Sequence, residues 1–88
     1  MLRISFIESA DHSVELRLEG QVVGPWIKEL RRACEGVLTQ GKRLTLDFAD
    51  LSFVDNEGIA LLRTLAERRV TLANCSRFVA ELLKDPPL

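Results

Sequence analysis

The sequence predicts an α/β domain of two layers, a four-stranded mixed β-sheet in the order β-β-α-β-α-β-α with three helices packed on one face. Three observations lead there. Four short segments alternate apolar with polar residues, the mark of strands that bury one side. Three further stretches repeat their apolar residues at the helical period. Strands joined through helices run parallel with right-handed crossovers, yet parallel sheets covered on both faces read as unbroken apolar runs. All four strands alternate here, so one face alone is heavily buried.

The first strand is expected over residues 2–8, with Leu2, Ile4 and Phe6 on one side, Arg3 and Ser5 on the other, and Ile7 breaking the pattern. Ser9-Ala10-Asp11-His12-Ser13 reads as a short polar hairpin connection. Over residues 14–19, Val14, Leu16 and Leu18 alternate with Glu15, Arg17 and Glu19. A helix opens after Gly24 with Pro25 in its first position, where a missing N–H costs nothing. Its stripe is Trp26, Ile27, Leu30, Ala33, Cys34, Val37 and Leu38, which places Trp26 in the core rather than at a partner contact, and Gly41 ends it as a left-handed cap. The third strand sets Leu44, Leu46 and Phe48 against Thr45 and Asp47, and a loop is expected over residues 49–55. The second helix runs from residue 56 to residue 67 on the stripe Ile59, Leu62, Leu65 and Ala66. A fourth strand sets Val70 and Leu72 against Thr71 and Ala73. Asn74-Cys75-Ser76 then leads to a third helix that buries Phe78, Val79, Leu82 and Leu83 and stops before Pro86-Pro87.

Composition narrows the function. Residues 1–88 fit a single domain, and an apolar fraction of 47% supports a packed core. Twelve Lys plus Arg against thirteen Asp plus Glu leave a net charge of −1, so the cationic excess that nucleic-acid binding draws on is missing. Cys34 and Cys75 lie in no metal-ligand spacing and His12 is the only histidine, so neither a metal nor a cofactor is expected. Both cysteines are read as reduced. No apolar run approaches the ~20 residues of a membrane span, and the N-terminus alternates like a strand instead of carrying a signal peptide's apolar centre. No membrane insertion and a cytoplasmic location are the expectation.

The segment from Leu46 to Ile59 carries the most information. It leaves the C-terminal end of a strand, where parallel sheets place their sites, and enters a helix through the capping pair Asp55-Asn56. Gly58 in the first helical turn implies a close approach to the backbone or tight packing of helix on strand. The residues Leu46-Asp47-Phe48, then Phe53-Val54-Asp55-Asn56-Glu57-Gly58-Ile59, resemble the signature of the STAS domain family, best known from bacterial anti-sigma-factor antagonists. That signature is a Leu-Asp-Leu strand followed by an apolar-Asp-Ser-Ser/Thr-Gly turn. The element order, Gly20 as the end of the second strand, and Val70-Thr71-Leu72-Ala73-Asn74 extend the resemblance over nearly the whole chain.

The resemblance implies a non-catalytic module that docks onto another protein, an anti-sigma-factor or kinase-like partner or a transporter component. Its contact surface is expected at Asp50, Ser52, Phe53, Asp55, Asn56, Glu57 and Gly58. In the antagonists, the residue before the glycine is a Ser or Thr that a cognate kinase phosphorylates. Glu57 holds that place here, and Asn56 replaces the preceding Ser, so the usual phosphorylation switch is not expected. A phosphoserine brings about −1.5 to −2 charges and three acceptor oxygens. Glu57 has two readings: a permanent partial imitation of that group, or an acid gaining about 0.3–1 kcal/mol from the helix dipole. Two other functions stay open. STAS domains also serve as parts of anion or lipid transport systems. Separately, Asp47, Asp50, Asp55 and Glu57 supply carboxylates for a metal site or an enzyme, although Asp47 alternates onto the polar face and Asp55 serves as a cap.

Overall fold

The structure, a computed structural model, describes residues 1–84. The expected end of the last helix before Pro86-Pro87 lies outside the described residues.

Strand β1 (Leu2–Ser9) pairs antiparallel with β2 (Ser13–Val22) in unbroken register from Leu2–Gly20 to Ser9–Ser13. Helix α1 (Pro25–Thr39) carries the chain back, so that β3 (Arg43–Val54) joins β2 in parallel. Helix α2 (Asn56–Glu67) repeats the move for β4 (Thr71–Ala73), and α3 (Arg77–Lys84) closes the described chain. The sheet order is β1-β2-β3-β4, the simplest result of one hairpin and two right-handed crossovers. Leu46 stands opposite Leu16 on one side and Leu72 on the other, so the third and fourth strands share their apolar face.

That face and the helices enclose one core. Leu16, Leu18, Leu30, Leu46, Leu62 and Leu65 are fully buried, each contributing about 1.5–3 kcal/mol by leaving water. The helical stripes match the sequence with particular exceptions. Trp26 is half-buried and packs against the core. In α2, Leu61 is buried and Ala66 is exposed, because α2 also packs against α1 and so buries a wider arc than the sheet alone requires. Two phenylalanines leave the expected core. Phe78 is 64% exposed: α3 packs mainly on α2, so its burial falls on Val79 with Leu82 and Leu83 beside it. Phe6 is 60% exposed, because β1 is an edge strand and its middle stands beside α1 rather than beneath it.

The expected loop over residues 49–55 is strand as far as Val54. Asp50, Leu51, Phe53 and Val54 pair with Glu19, Gly20, Gln21 and Val22 around two register shifts, and β3 uses two more residues than β2 between the Arg17–Asp47 and Val22–Val54 pairs. Two bulges explain why alternation stops after Phe48: each extra residue reverses which face the next side chain takes. Gly20 accordingly does not end β2. It sits inside the strand at φ +106°, a conformation open to glycine, and a Cβ there would stand 2.3 Å from the Met1 carbonyl oxygen.

Gly58 is the second glycine with a steric reason. A Cβ on it would fall 2.6 Å from Val54 Cγ1 and 2.9 Å from the Val22 carbonyl oxygen, so the first turn of α2 rests directly on the ends of β2 and β3. Gly58→Ala is expected to destabilise the domain by about 1–2 kcal/mol, an overpacking cost larger than the helix-propensity gain of the methyl. Urea denaturation of both proteins measures it. A stability equal to or above wild type contradicts the close approach.

Candidate functional site

The residues singled out from the sequence gather at the edge of the sheet where β2 and β3 end and α1 and α2 begin. Both crossovers start there, as parallel strand-helix units require. Asp55 holds the junction. One carboxylate oxygen accepts from the Gly58 N–H at 2.8 Å, capping α2, and the other accepts from the Gly24 N–H at 3.3 Å, at the start of α1. Its own N–H donates to the Val22 carbonyl at 3.1 Å. A single carboxylate thus ties the first turns of two helices to the end of β2.

Around this junction the predicted residues divide. Asn56 and Glu57 are exposed at the tip of α2, where the helix dipole favours an anion. Phe53 is 50% exposed and stands opposite Gln21, while Asp50 is exposed opposite Glu19. Ser52 is the residue skipped at the second register shift. Its hydroxyl donates to the Gly20 carbonyl at 2.8 Å, which gives it a structural task in the bulge. Gly58 is buried and offers spacing rather than surface. The exposed members are therefore Asp50, Ser52, Phe53, Asn56 and Glu57, on a scaffold built by Asp55 and Gly58, with Ser52 also holding the bulge.

Two residues of the site had no signal in the sequence. Lys28 and Arg31 on α1 line a shallow groove with Glu57 and Ile27. Both are exposed residues of α1 that belong to no motif of the sequence. Only the side-by-side starts of α1 and α2 bring cations next to the acid at residue 57.

The four carboxylates considered for a metal do not converge. Asp55 is committed to its cap. Asp47 lies on the open face of the sheet but is only 8% exposed, because Asn74 Nδ2 and the Ala49 N–H each donate to its Oδ1 at 2.9 Å and Arg17 stands 3.8 Å from Oδ2. Among the described residues, no three His, Cys, Asp or Glu side chains are placed to share a metal ion. Both cysteines are free thiols. Burial, with Glu35 nearby, pushes the Cys34 thiol up to about 12, and burial also raises Cys75, so neither has the character of a reactive thiolate.

The donors to Asp47, Asn74 first and then the Ala49 N–H, with Arg17 beside them, hold its carboxyl below the usual carboxylate range. A depressed folded-state value contributes stability above the unfolded value near 4, and that stability is lost as pH falls through the folded value. Asn74 sits at φ +57°, where Asn is favoured over Ala. Asn74→Ala is expected to cost about 1–3 kcal/mol at pH 7, from the lost hydrogen bond to a charged group and the backbone strain together. The gap to wild type should narrow below pH 4, as measured by urea melts at pH 7 and pH 3. A gap independent of pH contradicts the role given to Asp47.

Comparison with known proteins adds the following. The family model described as "Mlab, STAS domain" matches residues 5–85. The solved structure of the anti-sigma factor antagonist SpoIIAA in its unphosphorylated form is similar in fold, with a TM-score of 0.75 at 21% sequence identity, over 97% of this chain and 84% of that one. No curated protein matches the sequence.

Proposed function

The chain belongs to the STAS domain family, and on that premise we propose that it is a non-catalytic protein-docking domain, an anti-sigma-factor-antagonist-like regulator in a bacterial partner-switching pathway. It acts in the cytoplasm through signal transduction and transcription regulation, with an anti-sigma-factor or kinase-like protein as partner. Among the described residues no helix is long and apolar enough to cross a membrane.

One observation carries this reading: Glu57 is exposed at the tip of α2, with Phe53 half exposed on the neighbouring strand end. An exposed aromatic side chain and a charged helix tip, both on rigid elements at one end of the sheet, are the composition of a docking hot spot. Glu57 has no hydroxyl to accept a phosphoryl group, so docking at this surface is constitutive at the usual position. Its carboxylate lies where a phosphate would be favoured by the same helix dipole, beside Lys28 and Arg31.

The lack of a switchable hydroxyl also favours a second reading, an accessory subunit of an anion or lipid transport system. A permanent subunit needs a docking surface but no release signal.

The partner recovered by pull-down from the native host separates the two readings. An anti-sigma-factor or kinase-like protein supports the first and a transporter component the second, while repeated recovery of no protein overturns docking itself. With that partner, Phe53→Ala is expected to weaken binding about tenfold while leaving stability near wild type, because half of the ring is already in water. Glu57→Ser is expected to change affinity by an order of magnitude or more. Calorimetry reads both, and unchanged affinity for Glu57→Ser removes the imitation of a phosphate while leaving docking in place.

A further inference from the structure

Edge strands invite pairing, and soluble proteins blunt them with short length, central charges, proline, bulges or a covering element. The two edges of this sheet differ. β4 has three residues. β1 has eight, in unbroken register with β2, without proline, and its centre Ile4-Ser5-Phe6-Ile7 carries no charge. Phe6 and Ile7 are both exposed there, one on each side of the strand. Beside β1 runs a groove against α1. Leu2, Ile4 and Phe6 line one half with Glu29, Arg32 and Ala33; Phe6 and Glu8 line the other with Arg32, Ala33 and Gly36. Phe6 is thus level with Arg32 and Ala33. Two residues back along the strand, and three to four back along the helix, Ile4 comes level with Glu29.

We propose that this edge is a self-association surface, on which a second copy of the chain pairs β1 with β1 antiparallel about a two-fold axis at Ser5, making one continuous eight-stranded sheet. The arrangement is self-complementary. Ser5 faces its own copy, Ile4 faces the second copy's Phe6, and Arg3 lays its aliphatic stem on the second copy's Ile7. The same axis sets Glu29 against the second copy's Arg32, and Arg32 against the second copy's Glu29. An axis at Phe6 would keep the faces matched but bring the two Arg32 side chains together. Charge therefore selects the Ser5 register. Backbone hydrogen bonds and the apolar row supply the affinity, while the charge pairs, exposed and within 3.9 Å of each other in the single chain, set register. Because β4 is short, a head-to-tail contact of β1 on β4 makes few hydrogen bonds, so pairing closes as a dimer rather than growing into a fibre. The docking surface at Phe53 and Glu57, on the β3–α2 junction, is separated from the β1 edge by β2 and is left free.

Sedimentation equilibrium on the whole chain, up to about 1 mM, tests the proposal against the weak affinities expected of small interfaces. A concentration-dependent dimer is expected. Each substitution occurs twice in a two-fold dimer, so Glu29→Arg alone and Arg32→Glu alone should each weaken association tenfold or more. The double charge exchange should restore it to within about threefold. With Cys75→Ser as background, Ser5→Cys should cross-link to a covalent dimer under mild oxidation, since the axis places the two side chains face to face. A wild-type chain that stays monomeric throughout, a monomer that accepts only a foreign peptide strand, or single charge variants that associate like wild type overturn the proposal. None of these readouts involves the partner of the β3–α2 surface, so this proposal and the docking function fail independently.

Discussion

The structure depends on one close approach, the first turn of α2 resting on the ends of β2 and β3 with no side chain on residue 58 to hold them apart. Val22 is at its centre. Its carbonyl accepts from the Asp55 N–H at 3.1 Å, and the same oxygen lies 2.9 Å from where a Gly58 Cβ would be. Asp55 then spends both carboxylate oxygens on backbone N–H groups, at Gly58 and Gly24. Orphan donors at two helix starts are satisfied by one side chain. The tip of α2 is consequently fixed to the sheet rather than carried on a loop, and Glu57 projects from a rigid support.

The bulges in β3 serve the same end. Two extra residues let the strand continue to Val54 and still deliver Val54 to the core opposite Val22, while Phe53 emerges opposite Gln21. Each bulge is held locally, the second by the Ser52 hydroxyl on the Gly20 carbonyl. A plain loop in this place would leave several backbone groups to water and would not define where Phe53 stands. Gly20, opposite Leu51, closes the accommodation from the β2 side and admits the chain start at Met1 against it.

The open face of the sheet is organised around Asp47 rather than merely solvated. Arg17 lies 3.7 Å from Glu15 and 3.8 Å from Asp47, and Asn74 links the start of the segment after β4 to the middle of β3. This polar lattice leaves the face unsuited to apolar association. Among the described residues, the large apolar side chains left exposed sit at the chain start and the β1 edge, at Phe53 near the end of β3, and at Phe78 of α3.

Periodicity in the sequence determined the element order, the strand faces and the starts of both long helices, because each of those is a local property: alternation fixes a face, and Pro25 and Asp55 mark first turns through their own backbone chemistry. The signature around Asp55 and Gly58 was equally legible, and it located the family and the candidate surface. Tertiary structure alone decided the rest. A bulge depends on what the neighbouring strand does, so the broken alternation after Phe48 read as loop. Phe6 and Phe78 keep perfect apolar positions on their own elements, and only the edge place of β1 and the packing of α3 mainly on α2 leave them in water. Lys28 and Arg31 became part of the site because two crossovers begin side by side, a proximity set by packing between residues about thirty positions apart, which no local pattern records.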